Sequence, residues 1–263
     1  MDTQIQELIG QPITRYKGGS LVKEQSFVAL EVPLTFVVNG HEMATLMCTP
    51  SNLKAYAYGF LFTSGMIKSA KEILDLDLDT KKWRLDVRVK NFQDPSDLGR
   101  RVYTSGCGKG VMYTSMMEIA LRHPVQTRAR VRGQAIIDAM GWLVKCSDLH
   151  KKTGGVHSAG VSINNEMPQF HYDDIGRHNA VDKVIGTLVL EDTDPENLVL
   201  LGTGRVSSEI LHKARRFSIP ILASRGAPTH QSILLAQEMN ITIVGFVRPS
   251  NFAVFTHPER IVA

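Results

Sequence analysis

The chain has 263 residues, 43% hydrophobic and 21% charged, a balance that excludes a disordered polymer and allows one large domain or two ordinary ones. Its net charge of +4 suits an anionic ligand but is too small to argue for nucleic acid. Three cysteines, Cys48, Cys107 and Cys146, form no C-x-x-C pair, which excludes a disulfide framework and points to a reducing compartment.

In chain order, residues 1–25 are mixed and polar and read as a loose lead-in. Residues 28–48 read as two strands turned at Val37-Val38-Asn39-Gly40, the Asn-Gly signal of a tight hairpin. A helix is predicted over about 52–65, with Thr49 or Ser51 as cap and Gly65 as stop. ILDLDLD and WRLDVRVK alternate apolar with polar residues and read as strands with one wet face. The first half is thus a small α+β unit.

Next comes Val102-Tyr103-Thr104-Ser105-Gly106-Cys107-Gly108-Lys109-Gly110. Its glycines free the backbone around the sulfur, and Lys109 favours a thiolate. Two readings stand: an accessible thiol, or a flexible turn with an incidental cysteine. A helix to about Leu121 follows, then His123-Pro124, where the domain boundary is placed, giving units 1–125 and 126–263.

Residues 133–149 read as an amphipathic helix with Cys146 as a small core residue. VHSAGVSI and MPQFHY read as strands joined at Asn164-Asn165, before a helix from about Gly176 to Leu190. LVLLG, IPILAS and ITIVGFV are short apolar strands alternating with two helices, the signature of a parallel sheet buried on both faces.

Ligands of open α/β sheets bind beyond the carboxyl ends of the strands. Three loops fall there: Gly202–Ser208 with Arg205 and Ser207, Ala223–Thr229 with Arg225 and Thr229, and Phe246-Val247-Arg248-Pro249-Ser250-Asn251. Arginines, hydroxyls and helix starts together suit a phosphate-bearing ligand, a nucleotide being one such. No loop matches G-x-x-x-x-G-K-[ST] or G-x-G-x-x-G, so neither ATP hydrolysis nor hydride transfer is supported. The alternative is that Ser207 and Thr229 are ordinary helix caps.

A second dense segment, His171–Lys183, carries Asp174, Arg177, His178 and Asp182 around a helix start. With His157 it could form an acid/base pair or a metal site, and Asp173 or Asp174 could simply cap the helix. Zinc deaminases need a histidine–glutamate pair and C-x-x-C; this chain has Val156-His157-Ser158-Ala159, so no metal is expected.

These segments together resemble the FdhD family of formate dehydrogenase accessory sulfur carriers. The likeness runs through Val38-Asn39-Gly40, Met47-Cys48-Thr49-Pro50, Thr104-Ser105-Gly106-Cys107-Gly108, Thr153-Gly154-Gly155-Val156-His157 and Asp174–Lys183. It ends in Gly204-Arg205-Val206-Ser207, Ala227-Pro228-Thr229 and Val244–Pro249. The resemblance implies a cytidine-deaminase-like three-layer α/β/α domain without zinc, behind a smaller N-terminal α+β domain. It implies a carrier that takes sulfur as a persulfide from a cysteine desulfurase. The sulfur passes to the molybdenum bis(molybdopterin guanine dinucleotide) cofactor of the formate dehydrogenase catalytic subunit, and a guanine nucleotide would mimic that cofactor.

The persulfide cysteine maps onto Cys107 and the cofactor stretch onto Phe246, Val247, Arg248, Pro249, Ser250 and Asn251. Arg205, Ser207, Thr229, His157, Asp174, Arg177 and His178 complete the expected site. Many members carry C-G-x-C-G; here Gly110 replaces the second cysteine, or in the other register Thr104 replaces the first. One thiol remains either way, so a disulfide relay within the loop is impossible, and a cofactor chaperone without sulfur transfer is the competing reading. An enzyme acting on a free nucleotide is a third. The expected protein is cytoplasmic and homodimeric, with no nucleic-acid or membrane partner.

Overall fold

The computed structural model describes residues 5–92 and 123–263, with the backbone of 101–103 and 111–113. Cys107 and most of the helix expected to Leu121 lie outside the described residues.

The lead-in is the first correction. Leu8–Lys17 (β1) and Ser20–Ala29 (β2) form a two-stranded antiparallel hairpin turned at Gly18 and Gly19, with φ of 54° and 88°. Both faces meet solvent along most of its length, so the sequence carries no apolar alternation to betray it.

Val32–Val38 (β3) and His41–Cys48 (β4) form the expected hairpin, with Asn39 and Gly40 at φ of 49° and 87°. Ile73–Asp79 (β5) and Arg84–Val89 (β6) complete a four-stranded sheet of order β4-β3-β6-β5. Leu53–Thr63 (α1) packs on it, with the Phe36 and Tyr56 rings edge to face at 5.3 Å. Neither expected cap serves α1: its N-cap is Asn52, with a left-handed backbone and no side-chain bond. Gly65, at φ 81°, does end it, and Met66 N–H reaches back to Leu61 O at 2.9 Å. Arg101–Tyr103 (β7) and Val111–Tyr113 (β8) pair antiparallel.

Val131–Arg132 (β9) leads into Gly133–Cys146 (α2), which stops three residues short of the predicted end. Buried Ser147 breaks the helix, and Asp148–Thr153 (α3) follows. His157–Ile163 (β10) is as expected, but its partner strand is His171–Asp174 (β11), later than MPQFHY. Then come Arg177–Leu190 (α4), Leu198–Gly202 (β12), Ser208–Arg216 (α5), Ile221–Ser224 (β13), His230–Met239 (α6), Thr242–Arg248 (β14) and Asn251–Val254 (β15). Ile261–Val262 (β16) pairs with β9.

The large sheet runs β11-β10-β12-β13-β14-β15. Strands β12, β13 and β14 are parallel, while β10 and β15 run against them. Alternation sorts the core by face: Val199 and Leu201 pack on Ile136, Met140 and Leu143 of α2, while Leu198 and Leu200 pack with Ile185, Leu188 and Leu211 of the opposite helices. That second cluster continues without a break into α1 and the four-stranded sheet.

The helices α1 and α4 cross at two glycines. A Cβ on Gly186 would stand 1.8 Å from Ala55 O, and one on Gly59 1.8 Å from Asp182 O. Only residues without side chains allow this approach.

Candidate functional site

The segment His171–Lys183 is mostly structural. Asp174 and Lys183 form an ion pair at 2.7 Å, both side chains fully buried. Asp174 accepts hydrogen bonds from Gly176 N at 2.8 Å, Asn179 Nδ2 at 2.9 Å and Thr49 N at 3.1 Å. Thr49 Oγ1 in turn accepts from Ile175 N, and Lys183 donates to Thr49 O at 3.2 Å. So Asp174 does not face a ligand; its lone pairs are spent tying the helix start to the first half. The N-cap of α4 is Gly176, not an aspartate.

Next to it, Lys213 donates to both carboxylate oxygens of Asp182 at 2.8 Å, and Thr63 Oγ1 to Oδ1 at 2.7 Å. Burial pushes the Asp182 carboxyl up, with Lys213 pulling against it. His178 is also buried. Its Nε2 lies 3.2 Å from Glu209 and 3.3 Å from Ser207 Oγ, and its Nδ1 has no partner among the described residues. Burial, helped by Lys213, Arg177 and Arg205, pushes this imidazole down to about 2. A neutral ring therefore donates from Nε2. Glu209 and Ser207 share that one nitrogen, so no nucleophile–base–carboxylate relay is assembled. Ser207 occupies the N-cap position of α5 without a side-chain capping bond. Thr229, in contrast, is an ordinary cap: it forms a capping box with Ser232.

The three loops at the carboxyl ends of the strands do converge, but they spend many of their amides on one another. Arg225 N bonds Gly202 O at 3.1 Å, Val206 N bonds Ala227 O at 3.1 Å, Thr229 N bonds Val206 O at 3.0 Å, and Phe246 N bonds Gly226 O at 3.2 Å. Gly226 fits because a Cβ there would meet Gly204 O at 2.7 Å. The loops form a rigid rim, and the groups left to meet an anion are chiefly side chains.

Two clefts open along that rim. The first, about 490 Å³, includes His157, Ser158, Ser147, Thr203 and Arg225 in its lining. Burial, then Arg177 and His150, lowers the His157 pKa, leaving a neutral imidazole at neutral pH. The second, about 660 Å³, holds Arg225, Val247, Arg248 and Pro249 against Asp138, Trp142 and Lys145 of α2. Arg225 and Val144 line both, so the clefts adjoin. A small crevice beside the first takes Arg177, Gly204 and Arg205, with Ser158 and Thr203 shared.

A register shift between Gly245 and Arg248 shapes the far rim. Phe246 sits there at φ 55°, a costly setting for an aromatic residue. The bulge turns Val247 inward to 2% exposure. Arg248 reaches back to Arg225 O and Val247 O through Nη1, both at 2.9 Å. Ser250 and Asn251 lie in the following turn and strand start, outside the lining of either cleft.

Of the expected residues, His157, Arg248, Val247 and Pro249 share the adjoining clefts, with Arg177 and Arg205 in the crevice at their edge. Arg225, Trp142, Lys145 and Asp138 are additions. Arg225 was visible as the arginine of the second loop; the α2 residues carried only the helical spacing of a surface face. Among the described residues no group of three histidine, cysteine or acidic side chains could hold a metal. Cys48 is buried, and burial pushes its thiol up to about 12, so it is no sulfur nucleophile.

A family model described as FdhD/NarQ matches residues 29–262. The chain belongs to the FdhD/NarQ family. A sulfur carrier protein FdhD of Staphylococcus haemolyticus (strain JCSC1435) is 36% identical over 258 residues, 97% of each chain. One of Staphylococcus aureus (strain MRSA252) is 36% identical over 257 residues, 97% of this chain and 96% of that one. A crystal structure described as a candidate formate dehydrogenase accessory protein from Desulfotalea psychrophila superposes with a TM-score of 0.83 at 28% identity, over 98% of this chain and all of that one. The mixed α/β architecture with several sheets is thus shared with that structure. No helix among the described residues is long and apolar enough to cross a membrane.

Proposed function

We propose that this FdhD-family chain is a sulfur carrier serving formate dehydrogenase. Its client is the bis(molybdopterin guanine dinucleotide) cofactor, which binds in the adjoining clefts. The observation that carries the reading is the meeting of two clefts at Arg225, with Arg248 on one side and His157 on the other. A two-lobed ligand with phosphates near its middle suits that shape and charge. A guanine nucleotide would occupy one lobe. In this reading Arg225 and Arg248 hold phosphate, while Arg205 and Arg177 add positive field at the edge.

Sulfur enters by exchange. The Cys107 thiolate attacks the outer sulfur of a desulfurase persulfide, forming Cys107–S–SH and releasing the desulfurase thiolate. Cys48 cannot share this role, because it is buried with its thiol pushed up to about 12. We read the six-stranded layer with its covering helices as the cytidine-deaminase-like unit of residues 126–263, and the assembly as a cytoplasmic homodimer. The test is intact mass after incubation with a cysteine desulfurase and cysteine. A one-sulfur adduct that disappears in Cys107→Ala supports the reading, and its absence in the native chain defeats it.

The single local thiol favours one competing reading, a cofactor chaperone without sulfur transfer. That reading requires Cys107→Ser to activate formate dehydrogenase normally.

A further inference from the structure

We propose that Asp138 selects guanine in the second cleft. The inference rests on the nucleotide reading given above and adds to it the residue that reads the base.

The cleft is built for anions on one side, with Arg225, Arg248 and Lys145 in its lining. A carboxylate among these cations opposes phosphate binding unless it serves another part of the ligand. Asp138 forms no ion pair with any of the three. Its one hydrogen bond among the described residues comes from Gln134 Nε2 to Oδ1 at 2.8 Å. Asp138 is an exposed residue that borders the cleft.

Its neighbours suit a flat base. Asp138, Gly141, Trp142 and Lys145 share one face of α2 at i, i+3, i+4 and i+7. Beyond its chain neighbours and the backbone of α2, no atom stands within 4 Å of where a Gly141 Cβ would be, so the helix surface there is open, while the Trp142 indole meets the His171 ring edge to face at 5.6 Å. Val144, at the junction with the first cleft, is six residues beyond Asp138, about 9 Å along the helix axis. That span fits one nucleoside, with its base edge at Asp138 and its diphosphate at Arg225.

The chemistry then distinguishes bases. Guanine presents two adjacent N–H groups, N1–H and N2–H, which match the two oxygens of a carboxylate. Adenine sets an acceptor beside its amino group and would be repelled. An amide at position 138 would instead donate to the extra carbonyl of xanthine.

The test is calorimetric titration of guanosine, adenosine and xanthosine diphosphates into the full chain and into Asp138→Asn. The native chain should favour guanosine diphosphate. The variant should bind it at least about tenfold more weakly, the worth of one bidentate base contact. It should also gain affinity for xanthosine diphosphate, which mere loss of folding cannot produce. An unchanged guanosine diphosphate affinity in Asp138→Asn overturns the assignment while the nucleotide reading stands. A native chain that binds none of the three diphosphates overturns the nucleotide reading, and this inference with it.

Discussion

Gly186→Ala is the sharpest probe of how the two halves are joined. The added Cβ would lie 1.8 Å from Ala55 O and 2.7 Å from Gly59 N. Real Cβ atoms stay at least about 3 Å from such atoms, so α1 and α4 must separate by roughly 1.2 Å. A radial gap of about 1 Å forfeits up to half the dispersion well of each atom pair across it. Both obstacles are backbone, so no rotamer change relieves the clash. Overpacking a core commonly costs about 1–3 kcal/mol, and this site belongs at or beyond the upper end. A loss of about 3 kcal/mol is a large fraction of ordinary stability. In a chain of this length it lowers the melting temperature by about 6–12 °C. Thermal and urea unfolding of Gly186→Ala measure it, with Gly141→Ala as control. That second glycine is helical with open space around its Cβ position, so alanine there should stabilise by up to about 1 kcal/mol. A Gly186→Ala protein melting within a degree or so of the native chain would refute the close-crossing argument.

Lys213→Met strands the buried Asp182 carboxylate and should cost about 3–5 kcal/mol; adding Asp182→Leu should restore much of it, as a double-mutant cycle in urea would show. Acid should destabilise through His178 and His212, whose folded values are pushed down to about 2 and about 4. The unfolded chain binds protons near the ordinary value of 6.5 and the folded chain does not, so stability is whole above that pH and lost below it. Each histidine removes about 1.4 kcal/mol per pH unit, and His178→Gln should flatten the slope of melting temperature against pH. Arg225→Ala, at the junction of the clefts, should weaken guanosine diphosphate at least tenfold while leaving the melting temperature of the free protein within a degree or two.

The parallel strands, both turn signals and most helices were legible because each rests on local chemistry. LVLL, IPIL and ITIV are apolar on both faces, and Asn39-Gly40 is a turn wherever it occurs. What was not legible depended on partners distant in sequence. Thr49 looked like a cap because threonine before a helix usually is one; only the fold brings it to Asp174, 125 residues later. Asp174 and His178 looked reactive because a sequence does not show burial. The β1–β2 hairpin has no buried face, so it left no periodic signal. On α2, Asp138 and Trp142 carry no local signal of a site, because only the fold sets them opposite Arg225 and Arg248.

The clasp between Thr49 and the start of α4 has a consequence for how this chain can be handled. Its partners include main-chain groups, Thr49 N–H and Thr49 O, that no side-chain substitution removes. A fragment starting at the boundary near residue 125 would leave Asp174 and Lys183 as a charged pair open to water, and half the core uncovered. Expressing the C-terminal unit alone to study its clefts would thus yield an aggregating polypeptide. Supplying residues 1–125 as a separate polypeptide should rescue it by fragment complementation.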